Sequence, residues 1–247
     1  MAQRSARLLA KHGHSPQWVQ RHIKDPYVQR AQEKMYRSRA AWKLRQLDGQ
    51  FSFLRPESTI VDLGCSPGGW SQVAMERTEL VARRRALIVG ADKVPMEPLD
   101  FHNFVLGDIQ EAATLQKVRE ILGKRRATVV LADMAPKMMG SKMDDHAASV
   151  ELCRAAADLA ARVLQPGGWF VTKIFMGALA DRHRGELEQR FGKVRIAKPK
   201  ASRPESCEIY YVCSRFLGGN GLDPPASDGH RPVGPARAAA PPRSRVA

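Results

Sequence analysis

Lys173 lies inside an otherwise apolar run made of Trp169, Phe170, Val171, Ile174 and Phe175. An ammonium in such a strand is costly unless it is paired or opens on a cleft. Burial and a second nearby cation both favour the neutral amine, which can then act as a base near pH 7. Taken alone, the residue is equally compatible with an edge strand whose lysine snorkels to water. A second stretch capable of chemistry is Val61-Asp62-Leu63-Gly64-Cys65-Ser66-Pro67-Gly68-Gly69-Trp70-Ser71, where an apolar run breaks at small residues and resumes as a helix. Glycines let the backbone lie against a ligand. The first helical N–H groups then point at an anionic or polar group.

Three readings of this loop compete. A P-loop needs Gly-x-x-x-x-Gly-Lys-Ser/Thr, but Trp70 follows Gly69. A dinucleotide fingerprint needs Gly-x-Gly-x-x-Gly, and Ser66 stands where its second glycine belongs. The third reading is a plain strand-to-helix turn. Against it stands Asp92, which ends the next apolar run, Ala86 to Ala91. An acid about 20 residues past the glycines, at a strand's carboxyl end, is placed to bind ribose hydroxyls. The two features together read as a site for an adenosyl ligand without a pyrophosphate.

The elements that must position these groups alternate. Apolar runs Ser58–Leu63, Ala86–Ala91, Val105–Asp108, Ala127–Ala132 and Trp169–Phe175 read as strands, the fourth ending in Asp133-Met134-Ala135-Pro136. Asp25-Pro26 starts a helix with proline in the first position. Ser149–Leu164 reads as a helix with Leu152, Ala156, Leu159 and Val163 on one face. Gln165–Gly168 is a turn, Leu187–Phe191 finishes a helix, and Val194–Ala197 with Glu208–Cys213 form a closing pair of strands. Such alternation indicates an α/β chain with a mostly parallel sheet covered on both faces. Ligands bind beyond the carboxyl ends of such strands, where Asp92, Asp108 and Asp133 all fall. One such aspartate is commonplace as a helix cap; three beside a glycine loop point to a site.

Composition narrows the partner. Among 247 residues, Lys+Arg 40 against Asp+Glu 25 leaves a net charge of +15, an excess that favours a polyanion, nucleic acid first. Tyr36 to Leu44 interleaves Arg37, Arg39 and Lys43 with aromatics, a mixture suited to phosphate and base contacts. Residues 1–24 form a basic arm without an acid, which suits RNA or an organellar transit peptide. Residues 217–247 turn to Gly, Pro, Ala and Arg and are expected to be disordered. The four cysteines show no metal spacing, so no metal and reduced thiols are expected. No apolar run approaches the ~18 residues of a membrane span. A cytoplasmic monomer is expected, with a mitochondrion or other organelle as the alternative location.

The chain resembles the FtsJ/RrmJ family of ribosomal RNA 2′-O-ribose methyltransferases over roughly Trp18 to Phe216. The resemblance rests on Asp25-Pro26-Tyr27-Val28, on Tyr36 to Leu44, on Asp62 to Gln72, on Asp133-Met134-Ala135-Pro136 and on Ser202-Arg203-Pro204-Glu205-Ser206-Cys207-Glu208. It implies a Rossmann-like class I methyltransferase fold with a seven-stranded sheet over residues 25–216, and S-adenosyl-L-methionine as cofactor. It also implies a catalytic tetrad, Lys43, Asp133, Lys173 and Glu208, and cofactor contacts at Gly68, Trp70, Asp92, Asp108 and Asp133. In that reading Asp92 holds the ribose and Asp108 the adenine amino group. Lys137, Met139 and Met176 depart from the family pattern beside the target pocket.

Methyl transfer from a sulfonium asks the protein to align a hydroxyl and remove its proton. Lys173 is the expected base and Asp133 its orienter. Lys43 and Glu208 hold the target nucleotide and neighbouring charges. Because Asp133 opposes the loss of the lysine's charge, the four titrate as a coupled set. The expected activity is 2′-O-methylation of a uridine in large-subunit rRNA, on the RNA or the assembled subunit. Transfer RNA or an mRNA cap is the alternative substrate. A non-catalytic RNA-binding assembly factor is the rival from another class, and it would not require a lysine in an apolar strand.

Overall fold

The computed structural model describes residues 15–83 and 85–218. Residues 1–14 of the expected arm and 219–247 of the expected tail lie outside the described residues. The helices are α1 (Pro16–Lys24), α2 (Pro26–Glu33), α3 (Ala41–Phe51), α4 (Gly69–Arg77), α5 (Leu80–Arg83), α6 (Ala112–Leu122), α7 (Lys142–Val163) and α8 (Ala180–Glu188). The strands are β1 (Thr59–Leu63), β2 (Leu87–Asp92), β3 (Asn103–Leu106), β4 (Ala127–Ala132), β5 (Leu164–Phe175), β6 (Phe191–Ala197) and β7 (Glu208–Phe216).

They form one seven-stranded sheet in the order β3-β2-β1-β4-β5-β7-β6. The five strands from β3 to β5 run parallel, while β7 is antiparallel to both β5 and β6. Central strands are buried on both sides, and alternate side chains serve two cores. Val61, Leu63, Val89, Ala91, Val130 and Ala132 pack with α6 and α7. Ile60, Ile88, Val129, Leu131 and Val171 pack with α3 and α4. The expected fold class, sheet size and two-sided helix cover are all present.

Local expectations fare unevenly. Asp25 caps α2 by accepting from the Tyr27 N–H, with Pro26 in the first position as expected. The helix expected to finish over Leu187–Phe191 instead ends at Glu188, and Phe191 opens β6. Packing of Phe191 against Phe170 and Phe216 decides that boundary. The expected turn over Gln165–Gly168 is a bulge within β5, since the register on β4 jumps from Ala127↔Leu164 to Val129↔Trp169. α7 begins before the expected Ser149, at Lys142, because Ser141 caps it by accepting from the Asp144 N–H. Among the described residues no helix is long and apolar enough to cross a membrane.

Candidate active site

Asp133 leaves the sheet immediately after β4, and Lys173 lies near the end of the neighbouring β5. Lys173 Nζ is 3.1 Å from Asp133 Oδ1 and donates to the Asp133 carbonyl at 2.9 Å. On the other flank, Lys43 of α3 reaches Glu208 at the start of β7, Nζ to Oε1 2.6 Å. Lys43, Lys173 and Glu208 are each no more than 9% exposed, so none is a surface ion. Charges this deep need partners and hydrogen bonds to persist.

Tyr210 joins the two pairs. Its hydroxyl donates to Asp133 Oδ1 at 2.7 Å, and Lys43 Nζ lies 5.9 Å from its ring centroid. Burial, then the Asp133 and Glu208 charges, push the phenol well up from its ordinary value, so the hydroxyl keeps its proton to donate. Burial also pushes the Asp133 carboxyl up. The charges of Lys173 and Lys43 and the Tyr210 bond outweigh that, and Asp133 ends below its ordinary value. Sequence reasoning missed Tyr210. The available signal was its spacing: two residues past Glu208 on a strand, it shares that residue's face.

Asp133 also opens onto a cavity of about 470 Å³ lined by Gly64, Asp92, Asp108, Met134 and Glu151, among others. Three of the expected cofactor residues, Asp92, Asp108 and Asp133, therefore share one space. Asp92 is already engaged: Oδ2 accepts from the Ser66 N–H at 2.9 Å and Oδ1 from the Val94 N–H at 2.8 Å. Each oxygen keeps a lone pair for a hydroxyl donor. Asp108 Oδ1 accepts from the Gln110 N–H at 3.0 Å. At Gly64, with φ +72°, a Cβ would run into Met134, so the loop requires glycine there.

Gly68 and Trp70 stand differently. Gly68, at φ +111°, is the N-cap of α4, and a side chain there would press on Met96 and Arg37. The Trp70 indole does not line the cavity. It is buried, donates to the Ala40 carbonyl at 2.9 Å and stacks on Tyr210. What Trp70 can offer a ligand is its main chain in the first turn of α4. Arg37 fixes the loop from outside by donating to the carbonyls of Pro67 at 3.2 Å and Pro98 at 2.7 Å. Arg39 of the same stretch is paired with Asp25 at 2.8 Å, and Arg45 just beyond it with Glu76 at 2.7 Å.

The cavity and the buried cluster meet at a single carboxylate. That geometry can hold a cationic ligand against Asp133 while an amine stands on its other side. Known proteins resemble this chain in sequence and in fold. A protein of Mesorhizobium japonicum called ribosomal RNA large subunit methyltransferase E is 42% identical over 219 residues, covering 89% of this chain and 82% of its own. The protein of the same name from Pseudomonas aeruginosa strain PAO1 is 39% identical, covering 85% of this chain and 100% of its own. A Plasmodium falciparum crystal structure assigned as a ribosomal RNA methyltransferase superposes with a TM-score of 0.68 at 34% identity, covering 74% of this chain and 100% of its own. The model for FtsJ-like methyltransferases matches residues 36–216, a span that holds the cavity and Lys43, Asp133, Lys173 and Glu208. The chain belongs to the FtsJ-like methyltransferase family.

Proposed function

We propose that this protein catalyses 2′-O-methylation of a uridine ribose in large-subunit ribosomal RNA, with S-adenosylmethionine as methyl donor. One observation carries the reading: Asp133 lines the cavity and is ion-paired to Lys173. A methyl group presented from the cavity and a hydroxyl presented to the lysine would meet at that residue.

The cavity suits the cofactor. Asp92, Asp108, Asp133 and Glu151 surround it with carboxylates, which favour a cation, and Gly64 keeps its wall low. Asp92 would hold the ribose hydroxyls and Asp108 the adenine amino group. When bound, S-adenosylmethionine supplies an electrophilic methyl on a positively charged sulfur. As the free amine, Lys173 would take the proton of the ribose hydroxyl. Asp133 orients the amine through two contacts, and Tyr210 fixes Asp133. Lys43 and Glu208 hold the target nucleotide at the same rim. Orientation and proton removal are the parts the protein supplies.

Mapping ribose methylation across total RNA, with and without the gene, tests the proposal. One large-subunit rRNA uridine is expected to lose its 2′-O-methyl group. Loss confined to a transfer RNA or cap site, or no loss anywhere, would overturn it. Purified protein with S-adenosylmethionine and either naked rRNA or assembled subunits then identifies the form of the substrate.

A further inference from the structure

β4 and β5 stop pairing at Ala132↔Thr172, because the chain leaves the sheet at Asp133. β5 continues for three more residues, Lys173 to Phe175, with only β7 beside it. The main-chain groups facing the vacated side need other partners. α7 supplies them. Cys153 Sγ donates to the Lys173 carbonyl at 2.8 Å, and the Phe175 N–H donates to Ser149 Oγ at 3.0 Å. His146 Nδ1 lies 3.0 Å from the Phe175 carbonyl. Residues 146, 149 and 153 are spaced by three and four, so they stand on one face of the helix.

His146 has a second bond, accepting from the Leu179 N–H at Nε2, 3.0 Å. A ring nitrogen that accepts cannot carry the proton, so Nδ1–H is the donor to Phe175 and the imidazole is neutral. Burial pushes the Cys153 thiol up to about 11, which keeps its S–H available. Next along α7, Asp145 Oδ1 accepts from the Met139 N–H at 2.6 Å. The same helix end therefore grips the segment after Asp133 and the strand that carries Lys173.

We propose that the His146–Ser149–Cys153 face of α7 is a positioning element for Lys173, replacing the strand partner that β4 withdraws when it delivers Asp133. This inference rests on the methyl-transfer reading, in which Lys173 is the base. His146, Ser149 and Cys153 stand outside the cavity lining and act through the backbone of β5. Without them the last residues of β5 would be held from one side only. An amine displaced by about 1 Å from its line of attack is enough to cost on the order of 10²-fold.

The test compares Ser149→Ala and Cys153→Ala with the conservative Ser149→Thr and Cys153→Ser, all in the full chain. Three quantities are read: turnover on large ribosomal subunits, the dissociation constant of S-adenosylmethionine, and the rate at which acetic anhydride labels Lys173, by mass spectrometry. The alanine variants are expected to lose about 5- to 50-fold in kcat, with KM and cofactor affinity within about twofold. Lys173 labelling should quicken severalfold, and the conservative variants should recover most of both effects. Cys153→Ala removes one atom, so it keeps the comparison open if Ser149→Ala folds poorly. Wild-type kcat and labelling in the alanine variants, losses confined to KM or cofactor affinity, or no recovery would overturn the proposal. Wild-type turnover by itself tests the methyl-transfer reading. The labelling ratio tests the positioning independently of it.

Discussion

Lys173 and Asp133 meet twice, once through the carboxylate at 3.1 Å and once through the main-chain carbonyl at 2.9 Å. The second contact fixes the amine to the backbone of the cavity wall and not merely to a rotatable side chain. The amine's position is thus set by β5, which carries it, and by Asp133, which follows β4. The consequence for catalysis is direct: removing the amine should disable proton transfer while leaving the cavity intact. Lys173→Ala is expected to lower turnover by on the order of 10²–10⁴. Calorimetric titration should show S-adenosylmethionine affinity nearly unchanged, and unchanged turnover would remove Lys173 as the base.

Asp92→Ala should act on the cavity instead. It removes the acceptor for the Ser66 and Val94 amides together with the proposed ribose contact. Hydrogen bonds to a charged group contribute about 1.5–3 kcal/mol, so cofactor affinity should fall about 10- to 100-fold. RNA affinity measured by filter binding should hold. If only RNA affinity fell, the cavity would not be the cofactor site.

Tyr210→Phe keeps the ring that stacks on Trp70 and removes the hydroxyl that donates to Asp133. That bond is one of the forces holding the Asp133 carboxyl down. Its loss raises the pH at which Asp133 takes up a proton. The acid limb of the kcat–pH profile should therefore move to higher pH, with a lower plateau. A limb that stays in place would separate Tyr210 from the ionisation of the site.

Lys43 and Glu208 form a pair whose side chains are only 8% and 11% exposed. Taking one charge from such a pair costs about 3–5 kcal/mol, because the other is left buried and alone. Glu208→Gln should show that loss in urea unfolding, and adding Lys43→Met should recover much of it. Additive losses would mean the two charges do not depend on each other.

Asp62 predicts a pH effect on stability. Burial, with some help from the Asp133 and Asp92 charges and against the Ser71 bond, raises its carboxyl from 3.8 to about 7. The folded state therefore holds a proton that the unfolded chain has lost, and stability falls as pH rises through that window. The slope from one proton is at most about 1.4 kcal/mol per pH unit. It should flatten above about pH 7. Urea titrations at pH 5 to 8 should show this slope in the wild type and a shallower one in Asp62→Asn.

Much of this was readable before any coordinates. β4 has the bounds its apolar run announces, and the three strand-end aspartates do share one cavity. Motif spacing pointed to Lys43, Asp133 and Glu208, each of which belongs to a contiguous signature, whereas Lys173 stood out as a lysine inside an apolar run. Tyr210 had no such signature. It looks like one more aromatic in an apolar strand, and its role exists only because β7 is laid beside β5. The direction of the Trp70 side chain was equally hidden, since a helix start does not say which way an indole turns. Ser149 and Cys153 read as part of an ordinary amphipathic helix, and His146 fell before its expected start. Their bonds depend on where β4 stops, and that is settled by the register between strands.

β7 enters the sheet at the rim where β1, β2, β4 and β5 leave it, with Glu208 opposite Phe175. A chain emerging from the ribosome thus possesses Lys43, Asp133 and Lys173 well before it possesses the partner of Lys43. Until that reversed final strand slots in, one ammonium has no counter-ion and Asp133 lacks its phenol. The cluster of Lys43, Asp133, Lys173, Glu208 and Tyr210 is therefore complete only once the strand that comes latest in the described chain has joined the sheet.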